Sequence, residues 1–321
     1  MLCPRRCGAD RRAGASGFCG ESAALRLSSA CLHFGEEPPL TGTGGSGTVF
    51  VSGCNLRCAY CQNYQISHDG AGSPVTADEF ARICLSLRDA GAENINIVTG
   101  SHAVPEIAAG LAAAKKAGLA LPVCWNSSAY ETPDALRLLD GLIDIWLPDL
   151  KTLSPALSEA VFAAEDYPEA AKEAILWALR RSPLRFAGER MLGGVIVRHL
   201  FLPGRMDDTV RTLDWLKKHA DGRAAVSLMT QYAPVSFADA GGREARLSAF
   251  ENRPASAAEI GSLRALLDAY RFSAAFYQEA EPSGEWLPDF SRAQPFSYRL
   301  AKPVWHWREG FVHQGGIPPR Q

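Results

Sequence analysis

The sequence has little excess charge of either sign and no long hydrophobic run. Its 321 residues include 33 Lys and Arg against 35 Asp and Glu, which leaves a formal net charge of −2. This balance argues against a general nucleic-acid binder and against a polybasic membrane module. The most apolar stretch, residues 108–125, is interrupted by two lysines, and no run approaches the roughly 18–20 residues of a membrane span. The N-terminus lacks the apolar segment of a secretory signal, so we expect a cytoplasmic protein.

Cysteines are too few for a disulfide scaffold. The chain contains nine, and an odd number cannot pair completely within one molecule. In a reducing compartment, cysteines that cluster in the sequence more often bind metal or carry out chemistry. The places where they cluster are therefore the first candidates for a functional site.

Short apolar runs alternate with helical patterns along the chain. Seven runs bounded by Gly or Pro are predicted strands, at residues 48–53, 94–98, 119–125, 142–147, 194–201, 224–229 and 273–278. Capping boxes at Thr76 and Ser256 predict helix starts, and two helices are predicted between residues 153 and 182. Repeated strand–helix units are typical of an α/β protein with a parallel sheet and helical crossovers.

Periodicity leaves two architectures open, a partial barrel and a doubly wound open sheet, because six or seven units are too few for a closed eight-stranded barrel. In both architectures ligands bind beyond the carboxyl ends of the strands. The chain divides into a cysteine- and glycine-rich N-terminal extension (1–47), a core (48–280) and a C-terminal tail (281–321). The extension is expected to be irregular, and the tail is expected to be extended and wrapped on the surface.

Cys54, Cys58 and Cys61 form a C-x3-C-x2-C loop directly after the first predicted strand. Thiolates are soft ligands that favour zinc or iron–sulfur clusters. A structural zinc site takes four protein ligands, whereas three thiolates on a four-iron cluster leave one iron open to a small molecule. The simple alternative is three reduced loop cysteines, although chance rarely places three thiols so close at a strand end.

Charged residues end the fourth predicted strand. Asp149 and Lys151 alternate, so both side chains point to one side of the sheet. A charged side chain at the end of an apolar strand is energetically unfavourable unless it binds a ligand or pairs with an opposite charge. The pair is therefore either part of a binding site or a buried structural ion pair.

The cysteine loop, with Tyr60 before its last cysteine, resembles the signature of the radical S-adenosylmethionine (SAM) enzymes. More narrowly, the chain resembles the uncharacterised iron–sulfur proteins related to pyruvate formate-lyase activating enzyme. This resemblance covers most of the chain and includes the blocks at residues 3–7, 32–39, 45–48, 52–58, 148–151, 197–200 and 202–204.

The resemblance implies a partial (β/α)6 barrel whose core, residues 48–280, holds a [4Fe-4S] cluster on Cys54, Cys58 and Cys61. SAM would bind the fourth iron, and its reductive cleavage would give methionine and a 5′-deoxyadenosyl radical that abstracts hydrogen from an unknown substrate. Glycyl-radical activation of a partner protein is one such reaction. A low-potential donor such as a flavodoxin or ferredoxin would supply the electron, and the protein would position the cofactors.

The same resemblance implies SAM-binding roles for particular side chains. Tyr60 would lie near the adenine, and Lys151, beside Asp149, would contact the carboxylate of SAM. Asn126 and its neighbour Ser127 would lie near the methionine portion, with a turn or a helix cap as the alternative role.

Arg198 and His199 are adjacent on the fifth long strand and therefore face opposite sides. The resemblance favours Arg198 in the pocket, and His199 either joins the cofactor site or satisfies a neighbouring carbonyl. Gln231 and Tyr232, after the next strand, are further candidates of the same kind.

One turn departs from the pattern of the superfamily. Radical SAM enzymes commonly carry a Gly-Gly-Glu-like turn after strand two, whereas this chain has Val-Thr-Gly-Ser-His at residues 98–102 and no carboxylate. Thr99, Ser101 or a backbone carbonyl would have to replace the acidic group that holds the methionyl amine.

The remaining cysteines fall into two sets. Cys3, Cys7, Cys19 and Cys31 form a looser group that would hold a second cluster or zinc, or else are free thiols. The other two, at positions 84 and 124, are expected in the core. Two rival functions remain open: a non-catalytic iron–sulfur protein for electron transfer or cluster delivery, and a zinc-binding structural module.

Overall fold

A computed structural model describes residues 2–235, 243–279 and 287–312 of the chain. The strands are β1 (Arg26–His33), β2 (Ser46–Val51), β3 (Ser73–Pro74), β4 (Ile95–Val98), β5 (Val123–Ser127), β6 (Ile145–Pro148), β7 (Arg185–Ala187), β8 (Arg190–Leu200), β9 (Ala225–Met229), β10 (Ala275–Gln278), β11 (Ala301–His306) and β12 (Gly310–Phe311). The helices are α1 (Pro38–Thr41), α2 (Tyr64–Ser67), α3 (Ala77–Asp89), α4 (Val104–Lys116), α5 (Pro133–Arg137), α6 (Pro155–Phe162), α7 (Tyr167–Arg181), α8 (Met206–His219), α9 (Arg243–Leu247) and α10 (Ala257–Tyr270).

The fold is built on a parallel sheet with the strand order β2-β4-β5-β6-β8-β9-β10. These seven strands overlap the seven predicted ones, and α3, α4, α8 and α10 lie in the crossovers between them. In the described residues the sheet is not closed into a barrel, because β10 pairs only with β9. The predicted α/β class with an open, partial-barrel sheet is confirmed.

Local signals of the sequence fix where several helices begin. The Thr76 hydroxyl accepts a hydrogen bond from the Glu79 amide at 3.1 Å and caps α3. Ser256 and Glu259 make both bonds of a capping box at the start of α10. The predicted two-helix insertion is present as α6 and α7, and α6 begins at a Ser154 cap.

The N-terminal segment is more ordered than the sequence predicted. Residues 26–33 form β1, which pairs antiparallel with β2, and residues 38–41 form a helical turn. Strand β1 is buried almost throughout but contains Ser28, Ser29 and Cys31, so it lacks the continuous apolar run by which the parallel strands were recognised.

The C-terminal tail also differs from the expected surface wrap. Strand β11 pairs antiparallel with β1 and extends the sheet, and β12 pairs with β11. Pro303 lies within β11. Because proline has no N–H to donate to a neighbouring strand, a proline in the sequence argues against a central strand at that position. Phe290 is fully buried against Phe50 and Phe296. Residues 281–286 and 313–321 of the predicted tail lie outside the described residues.

Among the described residues, none of the helices combines the length and apolar composition of a membrane-spanning segment.

Candidate active site

A cavity of about 280 Å³ lies at the carboxyl edge of the parallel sheet. Loops after successive strands contribute its lining, as expected for open α/β sheets. It brings together the three cysteines of the loop and the predicted SAM-binding side chains other than His199: Cys54, Cys58, Tyr60, Cys61, Asn126, Ser127, Asp149, Lys151, Arg198, Gln231 and Tyr232. Residues separated by more than a hundred positions in the chain therefore face one space.

Backbone amides and a hydroxyl surround the sulfurs of the cysteine loop. The Sγ atom of Cys54 accepts hydrogen bonds from the amides of Leu56 at 3.3 Å and Arg57 at 3.4 Å. The Ser67 hydroxyl lies 3.1 Å from the Cys61 Sγ. Such donors favour the thiolate, but burial outweighs them at Cys61 and raises the pKa of its thiol to about 11. Burial also raises the pKa of Cys58.

Gly53 makes the turn between β2 and the cysteine loop possible. Its φ is +79°, and a Cβ there would lie 2.3 Å from Cγ of Glu21. Only glycine tolerates both this backbone conformation and this approach. The loop is thereby packed directly onto the N-terminal segment.

Asp149 and Lys151 form an ion pair on the wall of the cavity. The Lys151 Nζ lies 2.5 Å from the Asp149 Oδ2, and both side chains are largely buried. Burial opposes the charge on Lys151, but the charge of Asp149 raises its pKa well above the usual value. The Tyr167 hydroxyl donates to the Asp149 carbonyl at 2.8 Å and accepts from the Lys151 amide at 2.9 Å, which fixes this strand end.

Tyr60 belongs to an aromatic cluster beside the cysteines. Its ring centroid lies 6.0 Å from those of Phe162 and Tyr232 and 5.8 Å from that of Phe250. These are edge-on or tilted contacts of the kind that hold an aromatic side chain in one orientation. One edge of the cluster forms part of the cavity wall.

Arg198 lines the cavity and pairs with two carboxylates that the sequence analysis did not single out. Its guanidinium donates to Glu37 Oε1 at 2.8 Å and contacts both Glu36 and Glu37 through Nη2. All three side chains are buried. Burial opposes ionisation of Glu36, but Arg198, followed by His33, holds the pKa of that carboxyl well below its usual range.

His199 faces the opposite side of β8, as the alternation predicts. The structure places it outside the cavity, with Nδ1 2.7 Å from the Leu150 carbonyl and Nε2 2.9 Å from the Thr209 hydroxyl. Of the two roles predicted for it, the geometry matches a histidine that satisfies a neighbouring carbonyl.

Comparison with known proteins decides the family. The sequence profile of the Radical SAM superfamily matches residues 48–216, more than half of the chain. The chain belongs to the radical SAM superfamily. Enzymes of this superfamily use a [4Fe-4S] cluster together with SAM. The chain's relation to pyruvate formate-lyase activating enzyme stays a prediction.

Three known proteins are similar to this chain, one in sequence and two in fold. An uncharacterized protein of Methanocaldococcus jannaschii is 31% identical over 241 residues, which cover 73% of this chain and 65% of that protein. SuiB of Streptococcus suis, in a structure with the precursor peptide SuiA, has a TM-score of 0.50 at 12% identity over 72% of this chain and 48% of its own. A radical SAM methyltransferase from Sphaerobacter thermophilus has a TM-score of 0.49 at 17% identity, covering 73% and 66%. At these identities the solved structures are similar in fold alone.

The cysteine loop fits the cluster that the superfamily uses. In the described residues no three His, Cys, Asp or Glu side chains lie close enough together to hold a single metal ion. A four-iron cluster binds each cysteine through a different iron and takes thiolates at a wider spacing. The donor set of Cys54, Cys58 and Cys61 is also wholly sulfur, the ligand type of such clusters.

A further carboxylate lies beneath the turn that departs from the radical SAM pattern. Glu131 is buried and accepts hydrogen bonds from Ser101 Oγ at 2.7 Å, Trp125 Nε1 at 2.6 Å and Ser127 Oγ at 3.0 Å. The Ser101 hydroxyl is thus committed to Glu131, whereas Thr99, at a φ of 64°, lines the cavity. Sequence reasoning missed Glu131 because it comes from the next loop, five residues after Asn126.

Proposed function

We propose that this chain cleaves SAM reductively and uses the resulting radical to abstract hydrogen from a substrate. One observation supports this proposal above the others: three thiols of one loop share a cavity with the Asp149–Lys151 pair and Arg198. An iron–sulfur protein that only carried electrons would have no need of a charged, concave site beside its cluster.

Cys54, Cys58 and Cys61 would hold the [4Fe-4S] cluster. When bound, this cluster supplies the electron that splits SAM into methionine and a 5′-deoxyadenosyl radical. The amides of Leu56 and Arg57 donate to the Cys54 sulfur, and the Ser67 hydroxyl donates to the Cys61 sulfur.

Side chains around the cysteines would position SAM. The Lys151 ammonium is largely buried and lines the same cavity as Cys58, so it is placed to bind a carboxylate group next to the cluster. Asn126, at the end of β5, offers an amide to the methionine portion, and Tyr60 offers an aromatic wall for the adenine. Asp149 keeps Lys151 charged and oriented, and Tyr167 holds the backbone of both.

The substrate and the electron donor are proposed on the resemblance to the activating enzymes. We infer that the radical is passed to a glycine of a partner protein and that a low-potential flavodoxin or ferredoxin reduces the cluster. Such chemistry needs a reducing compartment, and the unpaired thiols suit the cytoplasm.

The test is anaerobic reconstitution with iron and sulfide, followed by dithionite and SAM. The reconstituted protein is expected to form 5′-deoxyadenosine and methionine, and Cys58→Ala is expected to abolish both. Cys84→Ala is the matched control, because Cys84 is buried on α3 away from the cavity. Product formation that persists in Cys58→Ala, or purification with zinc and without iron or sulfide, would refute the proposal.

A further inference from the structure

A second cavity, of about 260 Å³, lies between the N-terminal segment and the cysteine loop of residues 54–61, which we call the cluster loop. The thiols of Cys3, Cys7 and Cys19 line it, together with Asn55 and His102. Asn55 follows Cys54 directly, so the cluster loop separates this cavity from the first one. The second cavity therefore gathers thiol and imidazole groups that the proposed reaction does not use.

The first two of these cysteines repeat the local structure of the cluster loop. Cys3 and Cys7 have the same C-x3-C spacing as Cys54 and Cys58. The residue before the second cysteine is an arginine in the left-handed region in both loops, with φ of 47° at Arg6 and 48° at Arg57.

The surroundings of the first sulfur are also similar. Amides two and three residues after Cys54 donate to its Sγ. Burial raises the pKa of the Cys3 thiol, and the amides at the same two positions after Cys3 oppose this rise. A left-handed non-glycine residue is uncommon. Its recurrence with the same spacing and the same N–H donors indicates a turn that presents sulfur to a ligand.

Cys7 and Cys19 lie on either side of Gly17. A Cβ on Gly17 would lie 3.3 Å from the Cys7 Sγ and 3.4 Å from the Cys19 Sγ. Cys7 is the exposed member, and the amides of Ala9 and Phe18 lower the pKa of its thiol. A lowered pKa favours the thiolate, which is the form that binds metal.

His102 supplies an unused nitrogen to the same cavity. It is 4% exposed, and its Nε2 lies 2.8 Å from the Ser52 carbonyl oxygen. Because a carbonyl can only accept, the proton sits on Nε2 and Nδ1 carries a lone pair. Among the described residues this buried Nδ1 has no hydrogen-bond partner. Burial, followed by the charge of Arg11, lowers the pKa of His102 to about 4, which keeps the ring neutral and able to bind metal.

We propose that Cys3, Cys7, Cys19 and the Nδ1 of His102 bind a second metal centre, either zinc or an iron–sulfur cluster. Three thiolates and one imidazole are an established donor set for soft metals. No three of these groups lie at single-ion spacing in the described residues, so binding would draw the N-terminal segment toward His102. Cys31 is left out, because it lies in β1 packed in the core with Phe50 and Phe290.

This metal centre would hold the cluster loop in position. The Cys54 amide donates to the Cys19 carbonyl at 3.3 Å, so the backbone of one cavity is tied to that of the other. Fixing Cys19 on a metal would fix the position of Cys54. The inference goes beyond the proposed function and does not depend on it.

The experiment uses the full chain with Cys54, Cys58 and Cys61 all changed to Ala, which we name the triad variant. After anaerobic purification, iron, acid-labile sulfide and zinc are measured per chain. One bound centre is expected, as zinc alone for a single ion or as iron with sulfide for a cluster. A folded triad variant that holds neither would overturn the proposal, while leaving the SAM-cleavage assay of the unmodified chain unaffected.

Further substitutions in the triad variant assign the ligands. Adding Cys7→Ser is expected to remove the centre, and adding His102→Asn is expected to lower its occupancy. Adding Cys31→Ala is the matched control and is expected to retain the metal. Circular dichroism checks folding, and Co²⁺ gives a second readout through thiolate-to-cobalt charge-transfer absorption, which Cys7→Ser should eliminate. Metal retained unchanged with Cys7→Ser would contradict the assignment.

Discussion

The ammonium of Lys151 lies 2.5 Å from the carboxylate of Asp149, in the cavity that Cys58 also lines. If Lys151 also holds the carboxylate of SAM, replacing it removes a charge-assisted hydrogen bond worth about 1.5–3 kcal/mol. We therefore expect Lys151→Met to weaken SAM binding by roughly ten- to a hundredfold. Calorimetric titration of the reconstituted protein with SAM measures this directly. Lys172→Met removes a surface lysine paired with Glu169 on α7 and should leave the affinity unchanged; equal affinities for both variants would rule out the role of Lys151.

The buried ion pairs of Arg198 with Glu36 and Glu37 are expected to contribute strongly to the free energy of unfolding. Arg198→Met would leave Glu36 and Glu37 buried without their cation, and loss of one partner from a buried pair typically costs about 3–5 kcal/mol. Urea denaturation measures the change in the free energy of unfolding. Arg137→Met removes an exposed pair with Asp134 and should cost less than about 1 kcal/mol. Similar losses for the two variants would show that burial does not set the strength of the Arg198 contacts.

Glu131 is expected to act as a positioning residue for the end of β5. In Glu131→Gln the Trp125 N–H still finds an oxygen, but one serine hydroxyl loses its acceptor. Ser127 lines the cavity next to Asn126, so its displacement should raise the KM for SAM several-fold. The stability loss should stay near that of one hydrogen bond, about 1 kcal/mol. A stability loss with an unchanged KM would reduce Glu131 to a structural role.

Stability should fall as the pH drops below about 6.5, the pKa of an unfolded histidine. Burial lowers the pKa of His199 in the folded chain, where Asp208, Asp149 and Lys151 are the charged groups around it. Below about pH 6.5 the unfolded chain binds more protons than the folded one, so protonation favours unfolding.

His199→Gln should reduce the slope of unfolding free energy against pH in that range. The slope is not expected to vanish, because burial also lowers the pKa of His102 and His306. Urea titrations at several pH values measure it. An unchanged slope would mean that His199 is already protonated in the folded chain.

Local patterns predicted those parts of the fold and site that local physics determines. The parallel strands follow from buried apolar runs, and the shared orientation of Asp149 and Lys151 follows from strand alternation. The cysteine triad is adjacent in sequence and needs no tertiary information.

The missed features depend on contacts between distant segments. Glu37 meets Arg198 across 161 positions, and β1 pairs with β11 from the far end of the chain. Glu131 is near Asn126 in sequence, but its three donors come from the loop after β4 and from strand β5. Sequence periodicity cannot identify a residue whose hydrogen-bond partner comes close only in the folded chain.

The central claim is that the cysteine triad leaves one iron of its cluster open to SAM. The most direct measurement is the electron paramagnetic resonance spectrum of the dithionite-reduced protein, recorded with and without SAM. The triad is expected to give a cluster whose spectrum changes when SAM is added, because the amino and carboxylate groups become ligands of the open iron. A reducible cluster whose spectrum is the same in both samples would contradict the account.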